Sequence, residues 1–593
     1  MRNRFKKWLS IKKDQNARGI LLISIICFNV LLWLVSSLIA YVIAPSHYGS
    51  VVKALWSSGI TWMLEPGFYD PMVPVAVRIM SIIVILISMI TFTGGIIGYV
   101  ANVFSTIIDN AKKGKNTLFL YDHILILNWN YKGLELVADY RYDDDTNTVV
   151  ILSDLPKEQI EEDIKRKLYN KHKSQKKLNI IVREGEVFSK SDLMSVCVEQ
   201  AKTIIILADE DNHQSTTHMD MLAMKTLMLV ANLNLSDEQT ILVEVKEQKS
   251  VCLINEYIAK NTERSHQILA ILPDELMGRL IAQTLLMPML NKVYKELFSF
   301  EGAEFYTVGD IVPRTYMETH HHAIPIYRHQ HELYVLSESY DDLKSTREVP
   351  LSSYQPIELK DLSRYQEKHI VIFGKNHKLP YILDSIKLYE KENNTKIKVS
   401  LVESNEAKDI QSYTDSSEKI DHILILSEDD LSKEEFDSDV LVTLLMTQEL
   451  ARKHQAEIII ELLDPRHFDI AQSYNVKNTI ISNEYVSKLM TQLSKNRHLY
   501  DLFIDLLTYD PIESESETYE VYAYQAKDII KTSLPLHFKS RDELIYSIYM
   551  SGNQDNILIG YAKNEHFEIF KGDLDRLEEM VIEPDDYLIM ICK

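Results

Sequence analysis

The chain is predicted to fold as an α-helical membrane module followed by two α/β units with parallel sheets. The module would hold two transmembrane helices and a short helix between them. Three observations predict this. Two apolar runs early in the 593 residues, Ile20 to Ile43 and about Val73 to Val103, are each long enough to cross a bilayer. A turn bearing proline and glycine, Leu64-Glu65-Pro66-Gly67, lies between them. From His123 onward, short β-branched runs alternate with helical patterns, and the alternation occurs twice. Such alternation builds a parallel sheet covered by helices on both faces.

Length and composition bound the rest. A chain this long holds several domains. The net charge of −22 argues against nucleic acid as a partner. The four cysteines, Cys27, Cys197, Cys252 and Cys592, have no paired spacing. They suit a reducing compartment and do not form a disulfide scaffold.

Residues 1–18 form a basic arm with Arg2, Arg4, Lys6, Lys7, Lys12, Lys13 and Arg18. The membrane module is expected over 19–112, with its outer helix at 20–43. At about 1.5 Å per residue this helix crosses a core of ~30 Å with room for tilt. It exceeds the apolar core of a signal peptide, and a second span follows. The connection from Pro45 to Pro71 carries one lysine, Lys53, and no arginine, whereas Lys112, Lys113 and Lys115 follow the second span. The positive-inside rule therefore places both termini in the cytoplasm.

Between the spans, a short helix at 51–62 runs into Met63, Leu64, Glu65, Pro66 and Gly67, with Asp70 beyond. Backbone that dips into a bilayer is tolerated where it lines a water-filled cavity or is buried in protein. Four copies around one axis would gather four Glu65 carboxylates, and rings of acids select cations. Residues 63–67 are thus a candidate selectivity filter and Asp70 a pore-mouth acid. The stretch is unlike the TVGYG filter of potassium channels. The competing reading is an acidic turn outside the membrane, with Glu65 solvated. The inner helix is expected over 73–108. Arg78 near its outer end reads as a snorkelling residue. Gly94, Gly95 and Gly98 read as a gating hinge, as a close-packing stripe in which Gly94 and Gly98 are paired, or as both.

The first α/β unit is expected over 113–336. Its strands are His123 to Leu127, Val149 to Leu152, Asn179 to Val182, Ile204 to Leu207 and Ile241 to Val245. A polar linker spans 337–366. The second unit covers 367–593, with strands His369 to Phe373, Val399 to Glu403, Ile423 to Leu426 and Glu457 to Glu461. A C-terminal lobe ends in an apolar strand up to Ile591. Similar helices, beginning at Asp274 and at Asn483, follow each strand set and suggest a duplication. The glycine fingerprint of dinucleotide sheets is absent: the turns read Asn128-Trp129-Asn130-Tyr131-Lys132-Gly133 and Gly374-Lys375-Asn376-His377-Lys378-Leu379. No NAD is expected. With no GxSxG, HExxH or phosphate loop, the chain is not expected to be an enzyme.

Several stretches carry a family resemblance. They are Lys113-Gly114-Lys115 before the His123 strand, Val182-Arg183-Glu184-Gly185, Ile204 to Asp209, Phe300 to Tyr306, Glu461 to Arg466 and Ile481 to Glu484. On these the chain resembles the CASTOR/POLLUX ion channels, as a two-span member of bacterial type. The resemblance implies a homotetrameric cation channel in a membrane, whose two Rossmann-like units are tandem RCK domains forming a cytoplasmic gating ring. It also points to a bacterial plasma membrane. This chain departs from plant members in having one span before the pore. Leu64-Glu65-Pro66-Gly67 replaces their Ala-Asp-x-Gly filter, so ion preference is not carried over.

RCK domains commonly sense calcium through carboxylates at strand ends, and calcium requires six to eight oxygens. The candidates are Asp209, Glu210, Asp211 and Glu244 in the first unit. In the second they are Glu428, Asp429, Asp430, Glu461 and Asp464. The competing reading is that these are solvated loop acids. His320-His321-His322, with His329 and His331, reads as a histidine-rich loop or a metal site. The expected function is a ligand-gated cation channel, calcium-permeable and calcium-regulated, with lipid and permeant cations as its other partners. The alternatives are a potassium channel with an atypical filter and a membrane-anchored nucleotide sensor that conducts nothing.

Overall fold

The computed structural model describes residues 17–592 apart from 60–71, 113–116, 144, 170–176, 211–214, 262–267, 300–301, 330, 347–353, 361–366, 394, 403–409, 411–412, 414–417, 430–432, 510–518, 552–554, 565, 573 and 575. It divides into two compact units, Met1–Asn116 and Thr117–Lys593.

In the first unit, α1 (Ala17–Ile43) is followed by the short α2 (Val51–Gly59). The Trp33 indole donates to the Leu55 carbonyl at 2.8 Å and pins α2 against α1. The inner helix is not continuous as expected. It comprises α3 (Val75–Ser88), a π turn at Met89–Thr93 and α4 (Gly94–Lys112). Ile23–Ile43 and Val75–Ser105 are both long and apolar enough to span a membrane. Arg78 Nε donates to the Val73 carbonyl at 2.8 Å, satisfying part of the guanidinium at the start of α3. Candidate filter residues Met63 to Gly67 and Asp70 lie outside the described residues.

The second unit holds two parallel sheets. Strands β1 (His123–Leu127), β2 (Thr148–Ser153), β3 (Asn179–Glu184), β4 (Ala201–Ile206), β5 (Thr240–Glu244) and β6 (Ile268–Ile271) pair in the order β3-β2-β1-β4-β5-β6. The order reverses between β1 and β4, which in doubly wound sheets opens a crevice at the strands' carboxyl ends. Antiparallel strands β7 (Glu304–Val308), β8 (Ile324–His329) and β9 (Glu332–Ser337) close this half. Next come β10 (Glu367–Phe373), β11 (Lys396–Val402), β12 (His422–Ile425), β13 (Glu457–Leu462) and β14 (Asn478–Ile481), in the order β11-β10-β12-β13-β14. The C-terminal lobe is antiparallel, and its last strand, Tyr587–Cys592, lies centrally between Glu520–Gln525 and Asn556–Lys563. Strands β6 and β14 were not expected. Each has four residues and runs straight into a helix, so its apolar run merges with the helical pattern.

Four helices interlock the halves. They are α5 (Tyr131–Asp139), α6 (Pro273–Leu286), α7 (Leu379–Glu392) and α8 (Ser482–Lys495). Helix α6 leaves the first sheet and packs on α7 of the second half, while α8 leaves the second sheet and packs on α5 of the first. The contacts are close. A Cβ on Gly278 of α6 would stand 2.9 Å from the Lys378 carbonyl oxygen and 2.7 Å from Tyr381 Cβ. In the matching place on α8, the Ser487 hydroxyl donates to the Lys132 carbonyl at 2.9 Å. Tyr140 Oη then donates to Ser494 Oγ at 2.7 Å, and Lys495 meets Asp143 at 2.8 Å. One continuous apolar core therefore includes Leu136, Met277 and Leu280 with Ile382, Val486 and Leu489. At about 25 cal/mol per Å2 of apolar surface, a core shared by both halves strongly disfavours their separation.

Candidate functional site

Both sheet crevices are built from the same three residue types. In the first half, Asn130 ends the turn after β1. Its side-chain oxygen accepts from the backbone N–H of Lys132 and of Gly133, capping α5. Its amide nitrogen donates to the Ala208 carbonyl at 3.0 Å and to Glu244 Oε2 at 3.4 Å. Glu244, at the end of β5, is fully buried. Lys132 Nζ lies 3.0 Å from Glu244 Oε1 and 2.5 Å from Glu210 Oε1. Lys246 Nζ reaches the same two oxygens at 2.9 and 2.5 Å. Burial opposes ionisation of Glu244, but the Lys132 and Lys246 charges outweigh it and hold the carboxyl below its ordinary value.

The second half repeats this. Asn376 accepts from the Lys378 N–H at 3.1 Å and donates to Glu461 Oε2 at 3.3 Å. Lys378 Nζ lies 3.1 Å from Glu461 Oε1, whose other contact is the Ser482 hydroxyl. It also lies 3.4 Å from Asp274 Oδ1, on the first turn of α6. Burial would lower the Lys378 pKa, but Glu461 and Asp274 outweigh it and raise it. Burial likewise opposes ionisation of Asp274, and Lys378, followed by Lys246, keeps it low. The crevices are thus linked by charge, since Asp274 belongs to the first half and Lys378 to the second. A deeper pair repeats too. Asp220 accepts from the Lys246 and Glu247 amides, and Asp437 from the Leu463 and Asp464 amides.

This changes the roles of several expected residues. Glu210 and Glu244, read as cation ligands, have lysine ammoniums on their oxygens, and Glu461 has Lys378. In this structure lysine ammoniums neutralise these carboxylates. Asp464 is bonded by Arg466 Nε at 2.7 Å. Asp209 is half-buried, Glu428 is exposed and Asp429 pairs with His377, while Asp211 and Asp430 lie outside the described residues. Among the described residues, no three or more His, Cys, Asp or Glu side chains are grouped to hold a metal. In the histidine-rich loop, His320 stacks on Tyr316, His322 faces Asp342 at 3.4 Å and His331 faces Asp310 at 3.3 Å. Gly94 and Gly98, expected to pack, face open space within the chain. It is Gly95 that receives a neighbour, since its Cβ would stand 2.8 Å from Ile25 Cδ1.

Sequence reasoning missed Asn130, Lys132, Asn376, Lys378 and Asp274. The signal was present as Asn-x-Lys after each first strand and Glu at the end of a later one. It is hidden because those turns stand where a glycine fingerprint would, and they do not match it.

Residues 133–253 match the family model described as the calcium-activated potassium channel slowpoke-like RCK domain. The chain is 22% identical to "Ion channel DMI1" of Medicago truncatula over 91% of this chain and 69% of that protein. It is also 22% identical to "Probable ion channel POLLUX" of Oryza sativa subsp. japonica, over 93% of this chain and 64% of that protein. It therefore spans about two thirds of the length of these relatives. In fold it is similar to the human SLO3 gating ring, at TM-score 0.53 and 13% identity, over 79% of this chain and 99% of that one. Two apolar helices followed by RCK-like α/β domains make up this chain, and over most of its length it resembles the CASTOR and POLLUX ion channels.

Proposed function

We propose that this chain is the subunit of a homotetrameric, ligand-gated cation channel. It would sit in a bacterial plasma membrane with both termini in the cytoplasm. The observation that supports it best is the pairing, in one chain, of a two-span module with interlocked RCK-like sheets. Four copies of the acidic Glu65 turn would line the cation path, with Asp70 at its mouth. A ligand that binds one state of the ring more tightly shifts the closed–open equilibrium by its differential affinity. The interlocked helices and the Lys378–Asp274 pair make the two halves move as one body. Calcium is the ligand to titrate and a candidate permeant ion, with Glu210, Glu244 and Glu461 acting as lysine partners in this scheme. The side chains of Asn130 and Asn376, standing at the crevice turns, argue against the nucleotide-sensor reading.

Glu65→Gln tests the ion path. In bilayer recordings under bi-ionic conditions, loss of four carboxylates is expected to shift the reversal potential and reduce divalent preference. Unchanged reversal potentials would remove Glu65 from the filter. A potassium channel with an atypical filter would instead keep potassium over sodium in both proteins.

A further inference from the structure

The second span contains a break that its apolar sequence does not announce. At Met89–Thr93 the helix widens to a π turn, and the Gly94 amide donates to the Met89 carbonyl, five residues back. Two glycines, Gly94 and Gly95, follow directly. A single π turn inside an α-helix is frequent at functional sites. Glycine after it removes the side chains that would brace the helix.

The same turn is tied to the first span. The single proton of the Thr91 hydroxyl is shared between two acceptors, the Ile87 carbonyl at 2.7 Å and Asn29 Oδ1 at 3.0 Å. Asn29 is 4% exposed on α1, and its amide donates to the Ile25 carbonyl at 2.9 Å. Ile25, one helical turn away, fills the space left by the missing Cβ of Gly95. A buried amide in an apolar helix is costly unless bonded, so this pair favours one alignment of the two spans. Below the turn, Gly94 and Gly98 face open space, so the chain itself does not hold that part of α4 as it holds Gly95.

We propose that Met89–Thr93 is the bending point of the second span, and that the Asn29–Thr91 hydrogen bond latches it to the first span in the conformation seen here. This rests on the channel reading above. The latch is made in one gating state and broken in the other, so its loss changes the ratio between them.

The test uses the full chain in planar bilayers, with Asn29→Leu, Thr91→Val, their combination, and Thr91→Ser, which keeps the hydroxyl. Each of the first two is expected to shift the closed-to-open ratio on the order of threefold to tenfold, in the same direction. The double variant should shift it no further, and Thr91→Ser should behave as the wild type. Conducting Asn29→Leu and Thr91→Val channels with wild-type open probability would overturn the latch. Deuterium exchange in nanodiscs separates this from failure of the channel reading. If the wild type passes no current, the channel reading fails, and exchange still decides the latch. Faster uptake across residues 85–98 in Asn29→Leu and Thr91→Val than in wild type and Thr91→Ser supports it, and equal uptake overturns it.

Discussion

Replacing Lys378 with methionine is expected to destabilise the protein by about 3–5 kcal/mol, the usual effect of breaking a buried ion pair from one side. Lys378 is 7% exposed and its ammonium contacts the fully buried Glu461 carboxylate and the half-buried Asp274 carboxylate. Methionine keeps most of the volume and removes the charge, so the loss comes mainly from the buried Glu461, with the half-buried Asp274, left without a counter-charge. The carboxylates would take up protons to escape, and the defect should deepen as pH rises. Adding Glu461→Gln and Asp274→Asn should recover a large part of the loss, because the amides need no counter-charge. Urea unfolding of the full-length protein in detergent reads both results. A single-variant loss below about 1 kcal/mol would show the pair to be a solvated bystander. Because Asp274 and Lys378 come from different halves, Lys378→Met should also weaken the response of the open probability to ligand.

Acid should weaken the second sheet through His422. This residue begins β12 and is 9% exposed, and its Nδ1 finds no hydrogen-bond partner among the described residues. Burial, with the nearby Lys368 charge acting in the same direction, lowers its pKa from 6.5 to about 4. The imidazole is therefore neutral in the folded protein at a pH where the unfolded chain already binds the proton. Stability from this group is full above pH 6.5. It falls as pH drops through the window to about 4 and levels off below, where both states are protonated. The limit is roughly 3 kcal/mol for a shift of this size. His422→Gln should remove that part of the acid sensitivity. Comparing wild type and variant at pH 7.5, 5.5 and 4.5 isolates it from the carboxylates. Parallel stability–pH curves would contradict the assignment.

Much of the fold could be read from residue pattern. The buried strands His123 to Leu127 and His369 to Phe373 each carry four apolar residues after a histidine, and their recurrence marks the two halves. The interlock was not legible. Nothing local in Gly278 or Ser487 says that its helix packs on the other half, because helix exchange depends on contacts far apart in sequence. The site was half legible. Glu244 and Glu461 were picked out as acids at strand ends, which is where they are. Their lysine partners are not legible, because Lys132 and Lys378 are remote from them in sequence, and an isolated lysine at a helix start reads as solvated. The π turn was invisible for a different reason. An apolar run keeps its hydropathy whether a turn holds three and a half residues or four and a half.

Ion flux through the purified wild-type protein in liposomes tests the channel reading most directly. With potassium or calcium gradients imposed, and calcium or chelator on the side facing the RCK-like domains, the expected result is cation flux well above protein-free liposomes. That flux should change with the ligand and fall or change selectivity in Glu65→Gln. Flux no greater than in protein-free liposomes, for either cation and with or without calcium, would contradict conduction. The chain would then stand as a membrane-anchored pair of interlocked sensor domains.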